Sequence, residues 1–505
     1  MKAVFVLFDS LNRKSLEPYG AQTVKTPNFL RLAQRTATFE HHYVGSLPCM
    51  PARRDMQTGR LSFLHRSWGP LEPYDNAFPE LMREARVYSH LITDHYHYWN
   101  DGGATYHNRY DTYEFVRGQE RDCWKAMVQP PFERLREMYH KLQYNETRKN
   151  KFYHYMVNRE FIKEDDEFPS VQCFKHGFDF LDRNRTADNW FLQIETFDPH
   201  EPFYSPKRFR ADYPTNYAGP ILDWPPYARV NEAPDECAEL RANYCALVAL
   251  CDEQMGRLID YFDRHDMWRD TALIVGTDHG FLLGEHDWWA KNRMPVYEEV
   301  SHIPLFIHHP MVPSAAGGRR RALSQTTDLM ATFLDLYGIA RPDEVEGKSL
   351  LPALGRDEAL REAAIFGVFG SACNLTDGRY TYFRYPDDVL DQELYQYTLM
   401  PTHIAARFSP EELRAATLAP AFPFTKGVPL LKVPATPKSP MWMNYGPGVL
   451  QDTDTVLYDL ASDPLQAAPI KDAAVEARLA AAMARLMAEN HAPPEAFRRL
   501  KLAAA

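Results

Sequence analysis

Glycine is scarce in this chain, 24 of 505 residues, while proline reaches 38. Loops held by fixed φ angles are therefore expected in place of flexible glycine linkers. A surplus of positive charge is also missing: 57 Lys and Arg stand against 68 Asp and Glu, a formal net charge of −11. That balance argues against a nucleic-acid binder relying on a general basic field. No apolar run reaches the roughly 18 residues of a membrane helix, and no basic region followed by a signal-type apolar core opens the chain. Met1-Lys2-Ala3 passes directly into Val4-Phe5-Val6-Leu7-Phe8, which reads as a buried strand. A cytoplasmic protein with no membrane partner is the expectation. The seven cysteines (Cys49, Cys123, Cys173, Cys237, Cys245, Cys251 and Cys373) lack the paired spacing of a zinc site and the density of a disulfide scaffold. What remains is ordinary globular material, 45% hydrophobic and 25% charged. It can bury a large core, in about two to four domains or one large unit with appendages.

Short β-rich apolar runs alternate with helical patterns, as in an α/β fold with a mostly parallel sheet. The clearest are Val4–Phe8, Val87–Ile92, Trp190–Ile194, Ala272–Val275 and Pro304–Ile307. Ligands of such sheets bind beyond the carboxyl ends of the strands. There the sequence places Asp9-Ser10, Thr93-Asp94-His95-Tyr96-His97, Phe197-Asp198-Pro199-His200 and Thr277-Asp278-His279-Gly280. One Asp after a strand is most often a helix cap or turn former. Four strand ends carrying carboxylates or imidazoles point together to a metal and proton-transfer site.

Between 232 and 265 the apolar residues Leu240, Tyr244, Leu247, Cys251, Met255 and Leu258 recur at helical spacing. Residues 121–170 are charged and helical, an insertion expected to cover the strand ends. Beyond 365 the character changes to a smaller unit, with strands at Tyr380–Arg384 and Thr455–Tyr458. Between them, 401–450 holds nine of the 38 prolines and reads as a functional loop or an arm wrapping a neighbour. An Ala-rich amphipathic helix with Val475, Leu479, Met483 and Leu486 along its stripe closes the chain.

The most specific stretch is Leu47-Pro48-Cys49-Met50-Pro51-Ala52-Arg53-Arg54-Asp55-Met56-Gln57-Thr58-Gly59. It puts a Cys before a Pro-stiffened helix start. Backbone N–H groups, Arg53 and Arg54 there predict an electropositive pocket favouring a thiolate or an anionic substrate. A plain helix start with an incidental Cys is the bland alternative.

This stretch resembles the sulfatase signature, Cys-x-Pro-x-Arg followed by Thr-Gly. The resemblance continues through most of the chain. Thr26-Pro27-Asn28-Phe29 with Arg31-Leu32-Ala33 looks like the family's early helix, and Asp278-His279-Gly280 through Gly284-Glu285-His286-Asp287-Trp288-Trp289-Ala290-Lys291 like its second signature block. Tyr297-Glu298-Glu299, Ile303-Pro304-Leu305, Gly347-Lys348-Ser349-Leu350-Leu351-Pro352, Leu457-Tyr458-Asp459-Leu460 and Asp463-Pro464 match later blocks. The resemblance implies an alkaline phosphatase-like α/β/α sandwich with a large mixed, mostly parallel sheet, spanning 1–364 with 121–170 inserted. A smaller C-terminal α+β subdomain would occupy 365–505, with the proline-rich arm 401–450.

Carried over residue by residue, the resemblance implies that Cys49 is oxidised by a formylglycine-generating enzyme to formylglycine, the nucleophile, and that Arg53 orients it. Asp9, Ser10, Asp278 and His279 fall on metal positions beside Cys49. His200 falls on a histidine near the transferred group, Lys291 on its lysine, and His97 on the histidine of a Lys-x-His pair whose lysine position His95 occupies. Most sulfatases carry a second Asp where this chain has Ser10 and an Asn where it has His279. The implied cofactor is one divalent ion, calcium or manganese. An all-oxygen shell suits calcium, and an imidazole suits manganese, iron or zinc. An Asp-His pair here is similar to phosphonate monoester hydrolases of the same superfamily. Hydrolysis of small-molecule sulfate esters is thus the implied activity, with phosphonate monoester or phosphodiester hydrolysis at the same site as the alternative. A catalytically silent relative would be expected to have lost the site residues that are retained here.

The remaining histidines read otherwise. His41 and His42 are expected to be packing groups, and His308-His309 structural. His107 is a candidate for the pocket mouth and substrate binding, as is His95. His286 and His302 are placed to orient Lys291. The cluster Tyr96, Tyr98, Trp99, Tyr106, Tyr110 and Tyr113 is either aromatic core or a platform for a ring or sugar. The proline-rich arm leads to the expectation of a homo-oligomer.

Overall fold

A computed structural model describes residues 1–147, 151–437, 442 and 452–503. Its central sheet has eight strands. Along the chain they are β1 (Lys2–Phe8), β2 (Ala37–Phe39), β3 (Tyr88–Thr93), β4 (Thr112–Phe115), β5 (Trp190–Thr196), β6 (Thr271–Thr277), β7 (Leu305–His308) and β8 (Arg319–Arg320). The spatial order is β8-β2-β7-β6-β1-β5-β3-β4. β1 lies in the middle, parallel to both β5 and β6, and β3 continues the parallel set between β5 and β4. Only β7 runs antiparallel to its neighbours, β6 and β2.

The middle strands are buried throughout and mostly apolar because both faces are covered. Side chains of β1 alternate between them: Val4, Val6 and Phe8 enter one core, Ala3, Phe5 and Leu7 the other. Helices α1 (Pro27–Arg35), α4 (Pro169–Asn184) and α5 (Pro234–Arg264) cover the first face with Phe29, Phe174, Leu240 and Leu247. Helices α2 (Cys49–Thr58), α3 (Phe78–Glu84) and α6 (Asp328–Leu336) cover the second with Met50, Phe78 and Phe333. Each fully buried side chain of this size contributes roughly 1.5–3 kcal/mol of transfer free energy. The result is an α/β/α sandwich with a mixed, mostly parallel sheet, as expected.

A second sheet has five strands, ordered Val456–Asp459, Tyr380–Arg384, Cys373–Thr376, Ala364–Val368 and Ser46–Leu47. The last of these comes from the amino-terminal part and pairs in parallel with Gly367 and Val368. The smaller unit is therefore stitched to the segment leading into Cys49. Asp55 on α2 ties the same segment down, accepting hydrogen bonds from Ser46 N at 2.6 Å and Ser62 N at 2.9 Å. Gly45 makes this approach possible, since a Cβ there would lie 2.4 Å from Asp55 Oδ2. The closing helix, Ala473–Glu489, starts on an Asp472 side chain that accepts from Ala474 N and Val475 N, and packs Leu479, Met483 and Met487 on this sheet.

The proline-rich stretch contributes two strands, Thr417–Ala419 and Leu430–Pro434, to a three-stranded sheet with Tyr395–Thr398. This sheet packs back on the chain itself through Tyr74, Tyr397 and Phe424. Of the 401–450 arm, residues 438–441 and 443–450 lie outside the described residues. Within 121–170 the helices are Phe132–Met138, His154–Arg159 and a short turn before α4, packed around Leu135, Tyr139, Tyr155 and Trp224. No helix among the described residues is long and apolar enough to cross a membrane.

Candidate active site

The ends of β1 and β6 lie side by side, so Asp9-Ser10 and Asp278-His279 meet where both strands stop. Helix α2 brings Cys49 to the same point, its Sγ 3.3 Å from His279 Nε2 and 4.0 Å from Asp9 Oδ1. One ligand atom from each of Asp9, Cys49, Asp278 and His279 lies within 4.8 Å of the others, and all four residues are buried. His279 Nδ1 sits 2.9 Å from the Gly280 carbonyl, which only accepts, so the proton is on Nδ1 and the Nε2 lone pair faces the cluster. Burial holds this imidazole neutral, down to about 3. Gly280 is required for the turn: a Cβ there would fall 1.9 Å from the Glu299 carbonyl oxygen. Asp9 Oδ2 is buried with no hydrogen bond, beside its ion pair with Arg53 Nη2 at 3.0 Å. Two carboxylates and an imidazole form a donor set that fits one divalent cation, with the imidazole favouring manganese, iron or zinc.

Arg53, one helical turn after Cys49, points into this cluster and donates to the Cys49 carbonyl at 3.1 Å. Its guanidinium is surrounded by three carboxylates: Glu195 at 2.6 Å from Nε, Asp278 at 2.5 Å from Nη1 and Asp9 at 3.0 Å from Nη2. Glu195 also accepts from Tyr98 Oη at 3.1 Å and Gln193 Nε2 at 3.0 Å. Lys291 is held by Ser10 Oγ at 3.0 Å, and Ser10 Oγ in turn donates to Asp9 Oδ1 at 2.9 Å. Ser10 adopts a left-handed φ of 62°. Its N–H on Asp278 at 3.1 Å and its carbonyl on Tyr244 Oη at 2.8 Å hold it in that strained conformation. Lys291 stays protonated despite its burial, because Glu201 and Asp9 favour its charge.

Above this floor opens a cavity of about 370 Å³, lined by Cys49, His97, Glu120, His200, Glu201 and Lys291 with Trp68, Phe152, Trp224 and Tyr227 as aromatic walls. His200 Nδ1 lies 2.5 Å from the Glu201 carbonyl, which fixes the proton there and leaves Nε2 free of it. Burial and the neighbouring Lys291 push His200 well below the usual histidine range. Burial raises Glu201 to about 7, and its carboxylate accepts from Tyr227 Oη and lies 3.2 Å from His200 Nδ1. His97 is lowered to about 4 by burial, faces Glu120 at 3.7 Å and contacts Asn100 at 2.7 Å. His95, fully buried, sits with Nε2 3.7 Å from Asp9 Oδ2 and with neither ring nitrogen hydrogen-bonded.

Cys49, Arg53, His95, His97, His200, Lys291, Asp9, Ser10, Asp278 and His279 are thus brought together. His107 is not: it stacks on Trp99 at 4.4 Å, packs against Tyr113 and takes no part in the cavity wall. The thiolate expectation is also corrected. Burial and Asp9 push the Cys49 thiol well above its usual range, because Arg53 is consumed by three carboxylates and Arg54 pairs with Asp75 outside the cavity. His286 stacks on Tyr297 and pairs with Glu299, while His302 pairs with Glu298, so their contacts are with those groups and not with Lys291. Of the aromatic cluster, Tyr98, Tyr106 and Tyr110 pack as core, with Tyr98 reaching Glu195, whereas Trp99 and Tyr113 are exposed. Sequence reasoning passes over Glu195, Glu120 and Glu201. The signal for Glu195 was a charged residue inside the buried run Trp190–Thr196.

A family model described as Sulfatase matches residues 2–339, and one described as N-sulphoglucosamine sulphohydrolase, C-terminal, matches 284–398. Choline-sulfatase from Rhizobium meliloti is 25% identical over 411 residues, covering 75% of this chain and 77% of that one. N-acetylglucosamine-6-O-sulfatase from Bacteroides thetaiotaomicron is 23% identical over 402 residues, covering 70% of each. The solved structure of BT4656 in complex with its substrate D-glucosamine-2-N,6-O-disulfate superposes with a TM-score of 0.65 at 16% identity, over 99% of this chain and 98% of that one. Phosphonate monoester hydrolase of Agrobacterium radiobacter superposes equally well, TM-score 0.65 at 17% identity, over 97% and 95%.

Proposed function

Because the chain belongs to the sulfatase family of hydrolases, we propose that it cleaves small-molecule sulfate monoesters with a formylglycine made from Cys49 and one divalent metal ion at Asp9, Asp278 and His279. The observation that carries this reading is the meeting of Cys49 Sγ with those three ligand atoms on the floor of a cavity also reached by His97, His200 and Lys291. When present, the hydrated aldehyde would supply the attacking hydroxyl, and the metal would neutralise charge building on the nonbridging oxygens.

The chain's own residues account for the rest. Arg53, locked by its carboxylates, fixes the turn of α2 that aims residue 49. Lys291 is a buried, protonated donor anchored through Ser10 to the metal side, so it can hydrogen-bond an oxygen that gains charge. His200 presents a bare Nε2 to the cavity. An anion bound beside it offsets the Lys291 repulsion, raises its proton affinity and equips it to protonate the departing alkoxide. His95 and His97 stay neutral through burial; His97 serves as a hydrogen-bonding wall for the transferred group, and His95 faces Asp9 beneath it.

The test is leaving-group dependence. Glu201 keeps its own charge-assisted contacts when His200→Gln is made, so the fold should persist. The variant is expected to lose about 10²–10³-fold in kcat for a sulfate ester with a poor alkyl leaving group and only about tenfold for an activated aryl sulfate. Equal losses on both would remove His200 from the proton-transfer role.

One observation favours a second reading, phosphonate monoester or phosphodiester hydrolysis. His279 stands where the sulfatase resemblance implies Asn, giving the Asp-His pair that resembles phosphonate monoester hydrolases. Matched aryl sulfate, phosphonate monoester and phosphodiester substrates decide between the readings by relative kcat/KM, with the sulfate expected to lead.

A further inference from the structure

Arg53 poses an electrostatic problem that its neighbours solve. Its guanidinium lies 2.5 Å from Asp278 and 3.0 Å from Asp9, with all three side chains no more than 1% exposed. Those carboxylates are also the two oxygen donors of the proposed metal site. A permanent cation this close, screened by almost no water, draws on the same negative charge that a divalent ion needs. Glu195 occupies the remaining edge of the fork, 2.6 Å from Nε, and is not among the residues that line the cavity. Its other oxygen accepts from Tyr98 and Gln193; burial raises its pKa, and the Arg53 charge and these donors oppose that shift in favour of the carboxylate. Counted with Glu195, the buried set of Asp9, Asp278, Glu195 and Arg53 carries −2, and without it −1.

We infer that Glu195 is a positioning residue that balances the charge of Arg53 and thereby strengthens divalent-metal binding by Asp9 and Asp278, although it neither ligates the ion nor touches the substrate. The inference rests on the metal reading above. Second-sphere partners of this kind set metal affinity over about 10–100-fold.

The experiment is calorimetric titration of the metal-stripped full chain with Mn²⁺. Glu195→Gln is expected to bind about tenfold more weakly than the wild type. Tyr98→Phe, which removes a contact to Glu195 but no charge, should stay within about twofold, and the pair Arg53→Met/Glu195→Gln should return to within about threefold, since cation and counter-charge leave together. Wild-type affinity in Glu195→Gln overturns the inference. So does a loss in Tyr98→Phe as large as that in Glu195→Gln, or a double variant as weak as the single one. If Glu195→Gln does not fold, the double variant decides: near-wild-type binding supports charge balance and weak binding refutes it. Asp278→Asn separates the two levels. Its failure to bind Mn²⁺ supports the metal reading, and unchanged binding would overturn that reading and the inference together.

Discussion

Cys49→Ala, made in protein otherwise competent for turnover, is expected to lower kcat by on the order of 10⁴–10⁶-fold, the range seen when a covalent nucleophile is removed. The loss should be specific. Cys49 is 2% exposed and its Sγ touches only the cluster, so an Ala leaves the helix start, Arg53 and the second sheet in place. Stability should fall by no more than about 1–2 kcal/mol, as for a small buried truncation. Metal binding should persist through Asp9, Asp278 and His279. Turnover, denaturant unfolding and metal content measured on one preparation check all of these. A variant that retains even a tenth of the activity would mean that the nucleophile is elsewhere.

Asp278→Ala carries the second large effect, and of a different kind. This carboxylate serves the metal position, Arg53 Nη1, Ser10 N and His279 N at once, at 2.5, 3.1 and 2.8 Å for the last three. Removing it deletes a ligand and leaves a buried guanidinium short of one partner. Turnover should drop at least about 10³-fold, since several kcal/mol of charge stabilisation depend on the metal. Stability should fall by about 3–5 kcal/mol, the cost of breaking one side of a buried pair. Asp278→Asn retains the hydrogen-bonding outline, so it should lose the metal and the turnover but less of the stability. Metal analysis with unfolding curves separates the two variants. If Asp278→Ala keeps metal and activity, the site is misplaced.

The middle of the fold was legible because its strands are buried on both faces. Val4–Phe8 is an unbroken apolar run and Trp190–Ile194 is interrupted only by Gln193, and the polar groups after four strand ends pointed together to a shared site. Their ends were less legible: β5 runs on to Thr196 and β6 from Thr271 to Thr277, because the ladder with β1 continues past the last apolar residue. The pairing of Ser46–Leu47 with Gly367–Val368 had no local signal. Two residues of strand carry almost no periodicity, and their partner lies over three hundred residues away in sequence. The second sheet therefore joins the segment leading into Cys49 to strands that follow residue 364.

Site residues divided along the same line. Those at strand ends or in the signature were found, whereas Glu195, Glu120 and Glu201 depend on which side chains face Arg53, His97 and His200 after folding. The thiolate reading failed for a related reason. Counting Arg53 and Arg54 as local positive charge ignored that Glu195, Asp278, Asp9 and Asp75 neutralise them through space. His107, a candidate for the pocket mouth, is not among the residues that line the cavity. Here Gly103 instead lets the chain pass close to the His97 carbonyl, where a Cβ would lie 1.8 Å away, and the imidazole turns inward onto Trp99.

The central claim is that residue 49 acts as an aldehyde and not as a thiol. Mass spectrometry of the peptide containing Cys49, from protein produced together with a formylglycine-generating enzyme, tests it most directly when paired with turnover of an aryl sulfate. The account predicts formylglycine at position 49 and activity that rises in proportion to the modified fraction. Full activity from protein whose Cys49 remains an unmodified thiol would contradict it.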